Sequence, residues 1–283
     1  MINAPSGKLA VLRHIGHLAY VSDAPLKGPF APPSFLIESR FMMQSTTTLD
    51  RPASQSRKVG EKWAHIDTWV FDLDNTLYPS HCNLFAQVDK LMTAFIADYL
   101  KLDPVEARKI QKDFYVNHGT TLNGLMSVYD MDPAPFLDFV HKIDVSHMAA
   151  DAGLDKALTA LPGRKVIFTN GTVAHAENVT RQLGIDHHFD MVFDIVAAEY
   201  QPKPKAIAYE LFLSQAGIDP KRAVMFEDIA RNLVEPHALG MATVWVRPEV
   251  NGDERHQKLA HEGADREHVH HVTDELVSFL ETL

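Results

Sequence analysis

From residue 63 onward, short apolar runs alternate with amphipathic stretches, and this alternation restricts the possible folds more than any other feature of the chain. Thr68–Leu73 (TWVFDL) is a short β-favouring run that ends in an acidic turn, so it reads as a buried strand. Comparable runs lie at Lys165–Thr169, Met191–Val196, Ala223–Phe226 and Met241–Val246, with a short final one at Val269–Val272. Helical spacing fills the intervals. Ala174–Leu183 is stopped by Gly184, Ala206–Ala216 by Gly217, and a helix ending at Leu239 by Gly240; Asp274–Leu283 closes the chain. Strands alternating with helices predict an α/β fold, a parallel sheet covered on both faces.

The interval from Ser80 to Ala160 breaks the rhythm. Leu84, Val88, Leu91, Phe95 and Tyr99 recur at helical spacing, Pro104 sits at a first-turn position, and Asp132-Pro133 offers another helix start. No strand pattern interrupts them, so this block reads as an all-helical domain inserted after the first strand.

The chain has 283 residues, enough for about two domains at roughly 150 residues each and for a sizeable core. Its formal charge of −10 argues against a nucleic-acid-binding surface. The single cysteine, Cys82, excludes an intramolecular disulfide and any multi-cysteine metal centre. No apolar run approaches the ~20 residues of a membrane span. The expectation is a cytoplasmic globular protein with no membrane partner. Residues 1–60 differ in character, with seven basic and three acidic side chains, six prolines and a Ser/Thr-rich stretch from Ser45 to Ser56. Residues 1–61 read as a disordered or loosely attached extension. An organelle transit peptide, or a start codon assigned too early with Met42 or Met43 as the true start, would explain them as well. The remainder then carries −14, which looks unsuited to an anionic substrate.

In an open parallel sheet, ligands bind beyond the carboxyl ends of the strands. Four polar segments fall there. The first strand runs into Asp72, Asp74 and Thr76; residues two apart share a face of an extended chain. The second ends in Thr169-Asn170-Gly171, a hydroxyl and loop amides before a helix, suited to an anion. A later crossover holds Pro202-Lys203-Pro204-Lys205, and the fourth strand ends in Glu227-Asp228. Two carboxylates about 4 Å apart repel by about 4 kcal/mol at an effective dielectric near 20. Protonation or a divalent cation relieves that repulsion, and oxygen-only ligands favour Mg²⁺ over Zn²⁺. Alone, the acidic pair would be a solvated turn, and Thr169-Asn170 a turn and helix cap.

Together these segments resemble the four motifs of the haloacid dehalogenase-like hydrolase superfamily. Phe71–Tyr78 (FDLDNTLY), Thr169-Asn-Gly, Lys203-Pro and Phe226-Glu-Asp stand in the family's order, within roughly Trp63 to Leu283. The resemblance implies a Rossmann-like core at 62–80 and 160–283, with a helical cap at 81–159. It implies that Asp72 is the nucleophile and Asp74 the general acid and base. Asp72, the backbone carbonyl of Asp74 and Asp228 would hold Mg²⁺, with Glu227 as an outer or direct partner. Thr169, Asn170 and Gly171 would bind the phosphoryl group, Lys203 would balance its charge, and Thr76 would orient the first loop. Lys203 rather than Lys205 fits the third motif, because Pro204 follows it and Tyr209 lies six positions on. Asn232 stands where relatives place Asp or Asn. Dehalogenases of the superfamily lack the second aspartate, so Asp74 favours phosphate-ester hydrolysis.

His118–Met126 (HGTTLNGLM) resembles a segment of the pyrimidine 5′-nucleotidase subfamily, as does Leu77-Tyr78-Pro79. This implies a nucleoside monophosphate substrate, with His118, Thr120 and Thr121 facing it. The same nine residues also read as a helix start whose leucines pack the cap. Phosphoglycolate or sugar phosphates are alternative substrates, and a non-catalytic binding or regulatory protein is the alternative outside enzymology. Cys82 reads as a small packing residue. His268, His270 and His271 do not read as a metal site, since adjacent residues on a strand point to opposite faces.

Overall fold

The computed structural model describes residues 60–249, 258 and 260–283. The readings on the N-terminal extension, apart from its last two residues, lie outside them. Six parallel strands form one sheet in the order β3-β2-β1-β4-β5-β6. They are β1 (Thr68–Phe71), β2 (Arg164–Phe168), β3 (Met191–Phe193), β4 (Ala223–Glu227), β5 (Ala242–Val246) and β6 (His271–Thr273). The run at Thr68–Leu73 leaves the sheet at Phe71, and Asn75 follows with a φ of +61°. Asp72 and Asp74 therefore belong to a turn, not to a continued strand.

All four residues of β1 are buried, and their alternation divides the core. Trp69 and Phe71 face one layer with Ile167, Phe226 and Val244; Val70 faces the other with Val166, Phe168 and Met225. Phe71 and Phe226 stack at 4.7 Å, each fully buried, which contributes about 1.5–3 kcal/mol per side chain relative to exposure. The parallel arrangement follows from this two-sided burial, which demands helices on both faces.

The helices begin and end where local chemistry says they should. α1 (Leu84–Leu100) and α2 (Pro104–His118) open the inserted block. Asp103 caps α2 through the amides of Val105 and Glu106, with Pro104 in the first turn. α3 (Thr121–Tyr129) is capped by Thr120 and α4 (Pro133–Val140) by Asp132. Val88, Ile96, Leu125 and Phe136 give these four helices an apolar centre of their own, which Ile195 of the core joins. α5 (Ala152–Ala160), expected at the end of the insertion, packs with the core instead, through Leu154, Ala157 and Leu158. Its apolar face meets the closing helix. The remaining helices are α6 (Val173–Leu183), α7 (Ala206–Ala216), α8 (Val234–Leu239) and α9 (Leu276–Glu281). No helix of the described residues is long and apolar enough to cross a membrane.

The turn into β2 is tight. Gly163 has a φ of +81°, and a Cβ there would stand 2.3 Å from the carbonyl oxygen of Asp67. Gly163→Ala is expected to cost about 2 kcal/mol or more. Urea unfolding checks this, and an unchanged midpoint would show that the β1–β2 approach is looser than described.

Candidate active site

β1 lies between β2 and β4, and the chain crosses from β3 over to β4 on the other side of β1. Strand order reverses there, which opens a crevice at the strands' carboxyl ends. The Asp72 amide donates to Phe226 O at 2.9 Å, so the ends of β1 and β4 stay level. A cavity of about 150 Å³ occupies this crevice. Asp72, Asp74, Thr169, Asn170, Gly171, Lys203, Glu227 and Asp228 all line it.

Lys203 stands at the centre. Its Nζ donates to Asp72 Oδ1 at 2.6 Å, Glu227 Oε1 at 2.8 Å and Phe168 O at 2.9 Å. Its backbone is fixed from the second strand's loop, since Asn170 Oδ1 accepts from Lys203 N at 2.8 Å. Burial disfavours its charge, but the carboxylates of Asp72 and Glu227 outweigh that and raise its pKa. Lys205, two positions on, donates to Gln201 Oε1 outside the cluster.

The carboxylates differ in their surroundings. Burial pushes the Asp72 pKa up to about 7, with Glu227 adding and Lys203 opposing. Thr76 Oγ1 donates to Asp72 Oδ2 at 3.1 Å. Burial also raises Asp228 well above the usual range, helped by the charges of Glu227 and Asp72. Both Glu227 oxygens already accept hydrogen bonds: Oε1 from Asn232 Nδ2 at 2.6 Å as well as from Lys203, and Oε2 from Ile229 N at 2.7 Å. Asp72, Glu227 and Asp228 bring one oxygen each within 4.8 Å of the others. Three buried carboxylates with no imidazole or thiol among them suit a hard divalent cation.

The Asp74 carboxylate is not part of that group. Tyr78 OH donates to Asp74 Oδ1 at 2.5 Å, and His175 Nε2 lies 2.8 Å from the same atom. Burial alone would raise the Asp74 pKa; the His175 charge, its hydrogen bond and that of Tyr78 bring it down to about 2. His175 itself is disfavoured as a cation by burial, yet Asp74 raises its pKa. His141, at the end of α4, stacks on His175 at 4.6 Å. Burial and the neighbouring His175 lower the His141 pKa to about 4.

Thr169 Oγ1 accepts from the Gly171 amide at 2.9 Å, which folds the second-strand loop back on itself. In the inserted block, Thr120 and Thr121 line the cavity, but both hydroxyls are in structural use. Thr120 caps α3 through Asn123 N, and Thr121 donates to Gln111 O. His118 is not among the lining residues; its ring meets Phe114 edge-on at 5.4 Å. The block also supplies Met92, Leu122 and Phe136, the polar Asp89, Gln111 and Lys112, and Tyr115, whose ring lies 5.6 Å from the Arg231 guanidinium.

His175 and His141 were not legible as site residues. A signal for His175 existed: it shares the α6 face of Ala176, Val179 and Leu183, all buried, where a polar ring needs a partner. His270 Nδ1 meets Thr243 and His271 Nε2 meets Lys62, so that histidine run does not converge. His187 and His188 do converge, on Asp155 Oδ1 at the surface, at 3.2 and 2.8 Å.

A family profile described as haloacid dehalogenase-like hydrolase matches residues 66–234. Phosphate metabolism protein 8 of Saccharomyces cerevisiae is 26% identical over 194 residues, 62% of this chain and 60% of that protein. The chain thus spans about three fifths of that relative's length. A HAD phosphatase from Thermococcus onnurineus superposes with a TM-score of 0.50 at 14% identity, over 76% of this chain and 97% of that one. An L-2-haloacid dehalogenase from Xanthobacter autotrophicus gives 0.46 at 16% identity, over 76% and 97%. The first of these two likenesses shows the fold alone.

Proposed function

Because the chain belongs to the haloacid dehalogenase-like hydrolase family, we propose that it hydrolyses phosphate monoesters through an aspartyl-phosphate on Asp72. One observation carries this reading: a second carboxylate, Asp74, shares the cavity with Asp72 while standing apart from the three-carboxylate group. A halide leaving group has no use for a proton donor, whereas an alkoxide does. The name of the yeast relative, which refers to phosphate metabolism, is of the same kind.

Asp72 and Asp228, with the backbone carbonyl of Asp74, would hold Mg²⁺. When bound, that ion offsets the charge of the transferring phosphoryl group. Glu227, whose Oε1 accepts from both Lys203 and Asn232, orients Lys203 and the Ile229 loop, while its Oε2, with one donor, keeps acceptor capacity for an outer or direct part in holding the ion. An Asp72 oxygen attacks phosphorus, the bond to the leaving oxygen breaks, and Asp74 delivers a proton to that oxygen. A bound phosphate adds negative charge beside Asp74 and so favours its protonated form before transfer. Asp74 then takes a proton from water, whose oxygen attacks phosphorus, and Asp72 is released with inorganic phosphate. Lys203 and the Thr169 loop balance the charge of the phosphoryl oxygens. The opposing whole-chain charge of −10 governs solubility, not this site.

For the leaving group, Met92, Leu122 and Phe136 offer apolar surface while the charged residues beside them, Asp89 and Lys112, pair with each other at 2.7 Å, which suits a pyrimidine nucleoside better than the carboxylate of phosphoglycolate. With Mg²⁺ present, UMP and CMP are expected to exceed phosphoglycolate and sugar phosphates by about tenfold or more in kcat/KM, since burying an unpaired charge is penalised. Phosphate release across this panel checks the reading. The reverse order removes the nucleotide assignment, and no release from any ester removes the phosphatase one.

A further inference from the structure

Two donors converge on one oxygen of Asp74 and leave the other open. Tyr78 OH and His175 Nε2 both reach Oδ1. An ionised carboxylate has no proton to give, so both partners are donors there. Among the described residues nothing donates to Oδ2, and Oδ2 is not sealed away from the cavity that Asp74 lines. Both donors are immobile. Tyr78 is 1% exposed, and the turn beneath it is closed by the Leu77 amide donating to Leu73 O at 3.0 Å. The His175 side chain is fully buried and sits in the first turn of α6, whose cap Thr172 accepts from the His175 amide. His141 covers the ring at 4.6 Å and is itself within 3.3 Å of Thr172 Oγ1. α6 and the end of α4 thus lock the imidazole from two sides.

We propose that Tyr78 and His175 are positioning residues that clamp Asp74 Oδ1, so that Oδ2 alone exchanges the proton with the leaving oxygen and with water. The proposal rests on the phosphatase reading. A carboxylate free to rotate would present either oxygen at varying distance, and misplacement by about 1 Å can cost about 10²-fold in rate. The clamp therefore acts on proton transfer and not on phosphate binding.

A leaving-group comparison tests this. Nitrophenyl phosphate releases nitrophenolate, a stable anion that needs little protonation; an alkyl phosphate releases an alkoxide, which depends on it. Tyr78→Phe and His175→Ala are expected to lower kcat/KM on the alkyl ester about tenfold more than on the nitrophenyl ester, with KM for both nearly unchanged. His175→Gln, whose side-chain amide can stand in for Nε2–H, should recover part of the difference. Adding Tyr78→Phe to Asp74→Asn should cost less than about twofold more, because the two act through one group. Equal losses on the two esters overturn the clamp, and so does a full independent loss in the Asp74→Asn background. If the wild-type protein hydrolyses neither ester, the phosphatase reading fails and the clamp with it. If it hydrolyses both, only the clamp is at stake.

Discussion

Asp72→Asn is expected to abolish phosphate release, with a loss of about 10⁴-fold or more of the kind seen when a nucleophile is removed. The amide keeps the shape of the side chain but cannot form the acyl-phosphate bond. It also turns an NH₂ group or a weaker acceptor toward Lys203 Nζ, which now meets Asp72 Oδ1 at 2.6 Å. Thr76 loses its charged acceptor at the same time. Steady-state assays with Mg²⁺ and a nitrophenyl ester measure the effect. Acid-quench labelling of the wild-type chain with a radioactive phosphate ester should place the label on Asp72, and the variant should take up none. Activity above about a hundredth of wild type would be inconsistent with covalent catalysis there, since no other described residue replaces the carboxylate.

Lys203→Met should have the second-largest effect, on activity and on stability together. The ammonium stands between Asp72 and Glu227 with Asp228 adjacent, in a place almost sealed from water. Its removal leaves buried carboxylates facing one another. Breaking such a pair from one side costs about 3–5 kcal/mol. At the proposed cation site, added Mg²⁺ should return part of this stability by mass action. Lys205→Met is the control: that side chain meets only Gln201 among the hydrogen bonds described and should leave both quantities within about 0.5 kcal/mol. Thermal and urea unfolding, with and without Mg²⁺, separate the two lysines. Equal effects from both substitutions would remove Lys203 from its central role.

Much of the fold was legible because its signals are local. The β1, β2 and β4 runs are apolar on both sides, as a doubly covered sheet requires, and the stops at Gly184 and Gly217 mark helix ends that adopt φ of +76° and +61°. Asp103-Pro104 and Asp132-Pro133 likewise announce helix starts. Local signals say less where the outcome depends on a distant partner. Nothing local to α5 says that it packs on α9. The nine residues from His118 resemble a substrate-facing segment; in the structure Thr120 caps α3, Thr121 donates to Gln111 O, both line the cavity, and the His118 ring meets Phe114. The capped helix that the same residues also announced is present, and Thr120 and Thr121 line the cavity beside it.

The sequence by itself determined the strand–helix alternation, the inserted helical block and the identity of the polar segments at the strand ends, because periodicity and capping act within a few residues. It also named Asp72, Asp74, Thr169, Lys203 and Asp228 by likeness to a motif series. Only the tertiary structure decided that Lys203 lies between Asp72 and Glu227, that Glu227 has both oxygens occupied, and that Tyr78 and His175 share one oxygen of Asp74. These pairings join residues up to 131 positions apart. They arise from the strand order around β1, which sets the ends of β2 and β4 on either side of Asp72. No local pattern contains that order, since it is fixed by how the crossovers bury both faces of the sheet at once.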